Sequence, residues 1–361
     1  TLSSGRSTRG NRFMAPGAVD IGRPEEYETC LEKAFVIPDA EKRKRIIWQA
    51  IQDRASEIGA FARDEDLVGE VANLLEYPHP IIGSFSDAYL DLPQEVLVTV
   101  MKHHQRYFPL YDRGDTGRLR PAFATFSNIV PKQDDVVRSG NERVIKARLD
   151  DARYFFAEDL KVPLQVYAER LKDVIFHKDL GTSWEKVRRF TVVAEALAGI
   201  IAPHKLDKVR QASLLCKADL NSLMVGELPE LQGIMGREYA MRQGIDPEVA
   251  GAIREHYLPA SADDALPSGV IGDIVGMADR IDTICGCFGV GMVPTGTSDP
   301  YGLRRQTIAI ENILIAKGYR ISISRLVDTA LEELSGKLKR PAGEVKEDVM
   351  SFFANRFAYI L

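Results

Sequence analysis

The sequence is poor in the residues and runs that mark several classes of protein. Its 361 residues include four cysteines, six histidines and two tryptophans. No apolar run approaches the roughly 18–20 residues that a membrane span needs, and no signal-peptide pattern opens the chain. These absences argue against a membrane-embedded or secreted protein, and we expect a cytoplasmic one.

The cysteines and the net charge exclude two further classes. Only Cys285 and Cys287 are close in sequence, and neither a histidine nor a second cysteine pair stands nearby to complete a zinc set. We interpret all four cysteines as reduced thiols. A formal net charge of −5 excludes a uniformly basic surface, so any nucleic-acid binding would depend on local basic patches.

The first 160 residues mix helix and strand signals. An apolar stripe at helical spacing predicts a helix over 39–62 with Asp39 as its cap. A second helix should begin with Pro93 at its first position. The segments "RYFPLYD" and "LRPAFATFSNIV", joined by a polar turn at 113–117, predict a β-hairpin. Ser139 and Glu142 form a capping-box pattern that should open the next helix.

From about residue 164 onward the pattern predicts helices only, so we expect an α+β, predominantly helical fold. Three N-terminal signals support these helices: Thr182 with Glu185, Asp246 with Pro247, and Asp299 with Pro300. The chain opens on "TLSSGRSTRGNRF" without an initiating Met and stops within a helical pattern, "DVMSFFANRFAYIL". We therefore expect a piece of a longer protein.

The stretch "ASLLCKADLNSLM" places an aspartate among apolar residues. Asp219 stands at helical spacing with four other residues that would share its face: Ala212, Leu215, Cys216 and Leu223. A carboxylate on such a face is costly to bury unless it is hydrogen-bonded, paired with a cation or bound to a metal.

This region resembles the HD superfamily of metal-dependent phosphohydrolases, in which a His, a His-Asp pair and a distant Asp bind a metal. Lys186 stands where the first His is expected and Ala218 replaces the second, so only Asp219 and Asp279 match. Two carboxylates could hold a hard cation weakly. Alternatively, Lys186 or Arg189 pairs with the remaining aspartates. We predict a degenerate HD site without a competent metal centre.

Longer phrases carry a second resemblance, to the beta subunit of the bacterial heterotetrameric glycyl-tRNA synthetase. It runs from "TRGNRF" to the end of the chain, and Asn11 departs from the usual family pattern "GHRF". The phrases that carry it are "NERVIKARLDDARYFFAEDL", "LGTSWEKVRR", "KADLNSLMVGELPELQGIMGREYA", "AIREHYLP" and "ADRIDTICGCFGVGMVPTGTSDPYGLRR".

The resemblance implies three regions. Residues 1–160 would form a mixed α/β domain like the editing-type domain of the phenylalanyl enzyme's beta chain. Residues 161–335 would form the all-helical, degenerate HD-type domain. Residues 336–361 would be a linker and the start of a truncated helical anticodon-binding domain.

The resemblance also implies a function. The beta chain would bind tRNA(Gly) and the alpha subunit, while glycine is activated with ATP and Mg²⁺ on the alpha subunit. This segment would have no catalytic residue and no cofactor of its own, in keeping with its lack of HIGH, KMSKS-type and Walker A motifs.

RNA is bound by arginine and lysine on its phosphates and by aromatic rings that stack on its bases, and four local patches fit that chemistry, one of them with an aromatic ring. For each, a solvated face or an intramolecular ion pair is the alternative. The candidates are the arm Arg6, Arg9 and Arg12; the cluster Lys102, His103, His104, Arg106 and Tyr107; the helical face Arg143, Lys146 and Arg153; and the pair Arg304 and Arg305.

Two other functions compete with tRNA binding. The first is a working HD-type phosphohydrolase that acts on nucleotides through metal at Asp219 and Asp279. The second is an architectural module that bridges the alpha subunit to the anticodon-binding domain without touching RNA.

Overall fold

A computed structural model describes residues 5–114, 117–261 and 264–360. It divides the chain into two compact units, Thr1–Tyr154 and Phe155–Leu361. The first unit combines a small sheet with helices and the second is almost entirely helical, which confirms the α+β, mostly helical prediction. The editing-type and HD-type character of the two regions stays a prediction.

The first unit carries the strands of the main sheet. Its helices and strands are β1 (Ser7–Arg9), β2 (Ala18–Asp20), α1 (Tyr27–Lys33), α2 (Ala40–Glu57), β3 (Ala60–Phe61), α3 (Glu65–Leu74), β4 (His79–Ser84), α4 (Gln94–Thr99), β5 (Phe108–Asp112), β6 (Leu119–Ser127) and α5 (Asp134–Asp159), whose C-terminal end belongs to the second unit.

The main sheet is antiparallel, with strand order β3-β5-β6-β4. The predicted hairpin is confirmed as β5 and β6, which pair Phe108 with Ala124. Of its predicted turn, Asp115 and Thr116 lie outside the described residues. Helices α2 and α3 bury Ile47, Ile51 and Val71 against this sheet, since one apolar face of each helix matches one face of the sheet.

Local signals located α2 better than they located its neighbours. Asp39 caps α2 as predicted, with its carboxylate accepting from the backbone N–H of Glu41 at 2.8 Å, but the helix ends at Glu57 rather than at residue 62. Pro93 is the N-cap of α4 and not its first helical residue, because its ψ of 135° is extended. A π-helical turn, Val100–His104, follows α4.

The capping box predicted at Ser139 is wrong. Helix α5 already begins at Asp134, so Ser139 lies inside it. The Glu142 carboxylate instead accepts from the backbone N–H and the hydroxyl of Ser84, at 2.9 and 3.0 Å. A capping pattern therefore cannot act as a helix start where an earlier turn has already nucleated the helix.

The second unit surrounds one buried helix. Its helices and strands are α6 (Leu164–Arg170), β7 (Ile175–His177), β8 (Gly181–Thr182), α7 (Ser183–Ile201), α8 (Leu206–Leu215), α9 (Leu223–Glu227), α10 (Ile234–Arg242), α11 (Pro247–Glu255), α12 (Val270–Gly289), α13 (Leu303–Lys317), α14 (Ile323–Glu333) and α15 (Ala342–Ile360). Helix α12 is buried along nearly its whole length, and α7, α8, α11, α13, α14 and α15 pack against it.

Two capping signals in this unit are confirmed. Thr182 and Glu185 form the reciprocal capping box of α7, and the Asp246 side chain caps α11, which starts with Pro247. The third signal is displaced, because Gly302 adopts φ 62° and α13 begins only at Leu303. The Asp299 carboxylate still accepts from the N–H of Leu303 at 2.8 Å.

The expectation of helices alone beyond residue 164 is also wrong. Strands β7 and β8 form a short hairpin that pairs Ile175 with Thr182. Gly181 enables the hairpin, because its φ of 91° is strained for residues with a Cβ. Residues 336–358 pack within the second unit, where α15 buries Val345, Val349 and Phe353. Their assignment to a separate anticodon-binding domain stays a prediction.

Candidate functional site

Asp219 lies in a different local structure from the one predicted. Helix α8 ends at Leu215, and Asp219 stands in a short 3₁₀ turn, Ala218–Asn221. Leu223, predicted to share its helical face, is 48% exposed at the start of α9. The side chain of Asp219 is nevertheless fully buried, as its apolar neighbourhood indicated.

Two backbone N–H groups hold the Asp219 carboxylate. Its Oδ2 accepts from Gly233 at 2.5 Å and from Gly236 at 2.9 Å, at the start of α10. Burial raises the pKa of Asp219 to about 6, against the opposing effect of these two hydrogen bonds. Asp219 therefore anchors the N-terminal end of α10, and it is not the partner of Lys186.

Asp279, on α12, lies between two ammonium groups. Lys186 Nζ is 2.5 Å from its Oδ1, and Lys217 Nζ is 2.8 Å from its Oδ2. Burial would raise the pKa of Asp279, but the charges of Lys186 and Lys217 hold that pKa well below its usual value. The prediction that Lys186 pairs with one of the aspartates is confirmed for Asp279.

A second buried pair lies one helical turn further along α12. Arg189 grips Asp282 with two hydrogen bonds, Nε to Oδ1 at 2.7 Å and Nη2 to Oδ2 at 3.1 Å. Lys186 links the pairs, since its Nζ is 3.4 Å from Asp282 Oδ2 and donates to Thr283 Oγ1 at 2.8 Å. Both cations that sequence reasoning proposed as partners are thus used, each on α7.

Sequence reasoning missed His256, which is 1% exposed. Its Nδ1 lies 2.7 Å from the carbonyl oxygen of Ile253. Because a carbonyl only accepts, Nδ1 carries the proton and Nε2 is an unprotonated acceptor. Burial, and then the charge of Lys217, hold the His256 pKa well below its usual value. No local spacing signals this residue, which reaches the site from the end of α11.

These side chains line one cavity of about 480 Å³ in the second unit. Lys186, Lys217, His256 and Asp279 contribute to its surface, together with Arg305 from α13. Ala218 is fully buried, and neither it nor Asp219 is among the lining residues. The cavity therefore combines several cations with an imidazole acceptor.

Metal ligands are not grouped in the part of the chain that the structure describes. Among residues 5–114, 117–261 and 264–360, no three His, Cys, Asp or Glu side chains are placed to hold a metal ion together. Two ammonium groups occupy both oxygens of Asp279, and Asp219 is engaged by backbone N–H groups. The four cysteines, all within the described residues, are free.

The predicted basic arm is exposed. Arg6, Arg9 and Arg12 are all exposed to solvent, and Arg9 ends strand β1, which pairs with β2. The neighbouring Asn11 is buried: its amide nitrogen donates to the Asn128 carbonyl at 3.2 Å, and its oxygen accepts from two backbone N–H groups. Asn11 therefore fixes the base of the arm.

The cluster around Lys102 is largely engaged by its own unit. Lys102 lies 2.7 Å from Asp64, and Arg106 lies 2.7 Å from Glu70. His103 and His104 are exposed. Tyr107 is 4% exposed, stacks on Phe123 at 4.5 Å between centroids and donates to Asn141 at 2.7 Å. Burial raises the Tyr107 pKa to about 12, and its ring cannot reach a base, so that part of the prediction is wrong.

The helical face on α5 shares one carboxylate. Lys146 and Arg153 both pair with Asp150, at 2.7 and 2.9 Å. Arg143 is exposed on the same helix. On α13, Arg304 is 3.9 Å from Asp299, whereas the exposed Arg305 faces the cavity. The two arginines therefore have separate surroundings.

The fold and the site together define a mostly helical α+β protein whose polar cavity is built from lysine, arginine and aspartate. The sequence model of the glycyl-tRNA synthetase beta subunit family matches residues 1–361, and the chain belongs to that family. Similar relatives are the glycine–tRNA ligase beta subunits of Geobacter metallireducens, 51% identical, Geotalea uraniireducens, 50%, and Geobacter sulfurreducens, 50%.

Each of these matches covers 100% of this chain and 52% of the relative. The chain thus spans about half the length of the curated relatives that it matches. In its described residues, no helix is both long enough and apolar enough to cross a membrane.

Proposed function

We propose that this chain is part of a cytoplasmic glycine–tRNA ligase beta subunit and that it supplies a tRNA-binding surface to an enzyme whose alpha subunit forms glycyl-adenylate with ATP and Mg²⁺. The match of the family along all 361 residues carries this proposal. The site agrees with it, because Lys186 and Lys217 occupy the carboxylate of Asp279 and Arg189 occupies that of Asp282, so neither aspartate is available as a general base.

The tRNA surface includes the arm Arg6, Arg9 and Arg12, and Arg143 on α5. These four side chains are exposed, and no described carboxylate lies within ion-pair distance of them. Lys146 and Arg153 are weaker candidates because Asp150 already neutralises part of their charge. Phosphates are held by such unpaired cations, since a bound phosphate need not displace an internal partner.

Salt-dependent tRNA binding tests the surface. Replacing Arg6, Arg9 and Arg12 by Gln should lower the slope of log affinity against log salt by about 0.7–0.9 for each lost phosphate contact. A matched control replaces Lys42, Lys44 and Arg45 by Gln, which removes the same charge from α2. If the arm variant keeps the slope of the unmodified protein, the arm does not contact tRNA.

Adenylate formation tests whether glycine is activated by the alpha subunit and not by this chain. ATP–pyrophosphate exchange with glycine should be absent with this protein alone and should appear when the alpha subunit is added. Exchange by the beta protein alone would contradict the proposal. The competing nucleotide phosphohydrolase would instead show metal-dependent release of phosphate that is lost in Asp279→Asn.

A further inference from the structure

The cavity in the second unit carries more positive than negative charge. Lys186 and Lys217 share the single carboxylate of Asp279. Both carboxylate oxygens of Asp282 accept hydrogen bonds from Arg189. Lys186 also lies 3.4 Å from Asp282, so Lys186, Lys217 and Arg189 together face two carboxylates and one positive charge is in excess. Glu230 also lines the cavity, and the four cations on its surface, Lys186, Lys217, Arg280 and Arg305, outnumber the two carboxylates, Asp279 and Glu230. Buried excess charge of this kind is costly unless a counter-ion can approach it.

Two arginines add to this excess. Arg280 lines the cavity and donates to the carbonyl oxygens of His256, Tyr257 and Pro259, at 2.9–3.1 Å, rather than to a carboxylate. Arg305 stands at the exposed edge of the cavity, and no carboxylate of the described residues lies within ion-pair distance of it. Its guanidinium is therefore free to bind an anion bidentately.

An unpaired acceptor lies in the same cavity. His256 Nε2 is buried and has no hydrogen-bond partner among the described residues, and the tautomer fixed by the Ile253 carbonyl leaves a lone pair on it. The oxygens of a fully ionised phosphate cannot donate to this atom, whereas a hydroxyl can. The ligand must therefore offer a hydrogen-bond donor as well as negative charge.

The dimensions and the apolar surface fit a nucleotide-sized molecule. The volume of about 480 Å³ lies within the range of small-molecule sites, roughly 300–1,000 Å³. Phe176 and Tyr301 also line the cavity, with their rings edge to face and their centroids 6.2 Å apart. They offer an apolar surface on which a base can pack.

We infer that this cavity binds a ribonucleotide, with its phosphate on Lys217 and Arg305 and a ribose hydroxyl donating to His256 Nε2. The ammonium and guanidinium groups supply the charge that a metal ion supplies in phosphate sites, so binding requires no divalent cation. The site goes beyond the proposed tRNA surface, since it uses neither the arm nor Arg143.

Calorimetric titration of the protein with adenosine 5′-monophosphate in EDTA tests the site. We expect saturable binding. It should be weakened about tenfold or more for adenosine, which lacks the phosphate, and to a similar degree for the 2′,3′-dideoxy monophosphate, which lacks the ribose hydroxyls, because each loses at least one charge-assisted or buried hydrogen bond. Absence of saturable binding, or equal binding of all three ligands, would overturn the proposal.

A variant and its matched control test whether Arg305 binds the phosphate. Arg305→Gln should weaken adenosine monophosphate binding about tenfold, and because Arg305 is exposed the variant should keep the native circular dichroism. Arg320→Gln, which removes an exposed arginine beyond the C-terminal end of α13, should bind like the unmodified protein. Equal affinities for Arg305→Gln and Arg320→Gln would remove the site from this cavity.

Competition identifies the source of the ribonucleotide. If saturating tRNA displaces adenosine monophosphate, and Arg305→Gln weakens both, the cavity holds a nucleotide of the tRNA. If adenosine monophosphate binds equally well with tRNA present, the cavity holds a free nucleotide. Loss of tRNA binding in the arm variant alone, with nucleotide binding unchanged, bears on the proposed function and not on this site.

Discussion

Replacement of Asp219 separates two contributions that one carboxylate makes to the second unit. Its Oδ2 accepts the N–H groups of Gly233 and Gly236, and its charge is fully buried. Alanine removes both the acceptor and the charge. Asparagine keeps an acceptor oxygen in the same shape and removes only the charge, so the two variants measure each contribution separately.

The two contributions have opposite signs. A buried N–H without an acceptor costs about 1–3 kcal/mol. Because Asp219→Ala leaves two such groups, those of Gly233 and Gly236, it should be less stable than Asp219→Asn by about 2–6 kcal/mol. Burial raises the Asp219 pKa from 3.8 to about 6, and each pKa unit corresponds to about 1.4 kcal/mol. The ionised carboxylate therefore destabilises the folded unit by about 3 kcal/mol, and Asp219→Asn should be at least as stable as the unmodified protein above pH 7.

The pH dependence follows from the same shift. Because the pKa of Asp219 is higher in the folded than in the unfolded state, the folded state binds the proton more tightly. The stability from that proton is complete below the unfolded value of 3.8 and is lost as the pH rises through about 6. The unfolding free energy of the unmodified protein should therefore fall, relative to that of Asp219→Asn, over this interval.

Urea unfolding followed by Trp184 fluorescence measures both effects. Trp184 belongs to the second unit and Trp48 to the first, so a Trp48→Phe background confines the signal to the unit that contains Asp219. If the difference in unfolding free energy between the unmodified protein and Asp219→Asn is constant with pH, the buried Asp219 carboxyl group does not titrate with a raised pKa. Equal stabilities of Asp219→Ala and Asp219→Asn would refute the anchoring of α10.

Three further changes probe the buried charges and a cap. Arg189→Met should destabilise the second unit by about 3–5 kcal/mol because Asp282 loses its bidentate partner. Lys186→Met should lower the unfolding free energy by less, since Asp279 and Asp282 each keep one cation. Equal decreases in urea unfolding would contradict this. Burial raises the Glu311 pKa to about 7, so stability should fall as the pH rises through that value, and Glu311→Gln should abolish this fall in a pH series of melting temperatures. Thr182→Ala should cost about 1 kcal/mol, measured by thermal unfolding, through loss of the α7 capping box.

Local sequence rules succeeded where the interaction itself is local. Thr182 and Asp246 cap the helices that they were predicted to cap, because a capping bond joins residues two or three positions apart. The same rule failed at Ser139, since α5 starts at Asp134 and overrides it. Tyr107 failed for a different reason: its ring is buried on Phe123, a contact between residues that sequence spacing cannot reveal.

The candidate site was predictable in part. Asp279 and Lys186 were recognised from the residue types at two separated positions, and their pairing followed from the cost of burying either charge alone. Lys217 and His256 were missed although they complete the same cavity. His256 reaches it from the end of α11 through the tertiary packing of α11 on α12, which no pattern within one helix encodes.

The number of cations in the cavity distinguishes two explanations: a lysine that replaces the charge of a lost metal ion, and a site that binds an anionic ligand. If lysine had only replaced the charge of a lost metal, one ammonium group would suffice for the carboxylate of Asp279. The structure has two on that carboxylate, and Arg305 lies at the edge of the same cavity with no carboxylate partner among the described residues. A purely structural network would minimise this excess, because uncompensated charge destabilises the fold. A dianionic ligand bound in the cavity would compensate this excess, which the carboxylates of Asp279 and Glu230 do not.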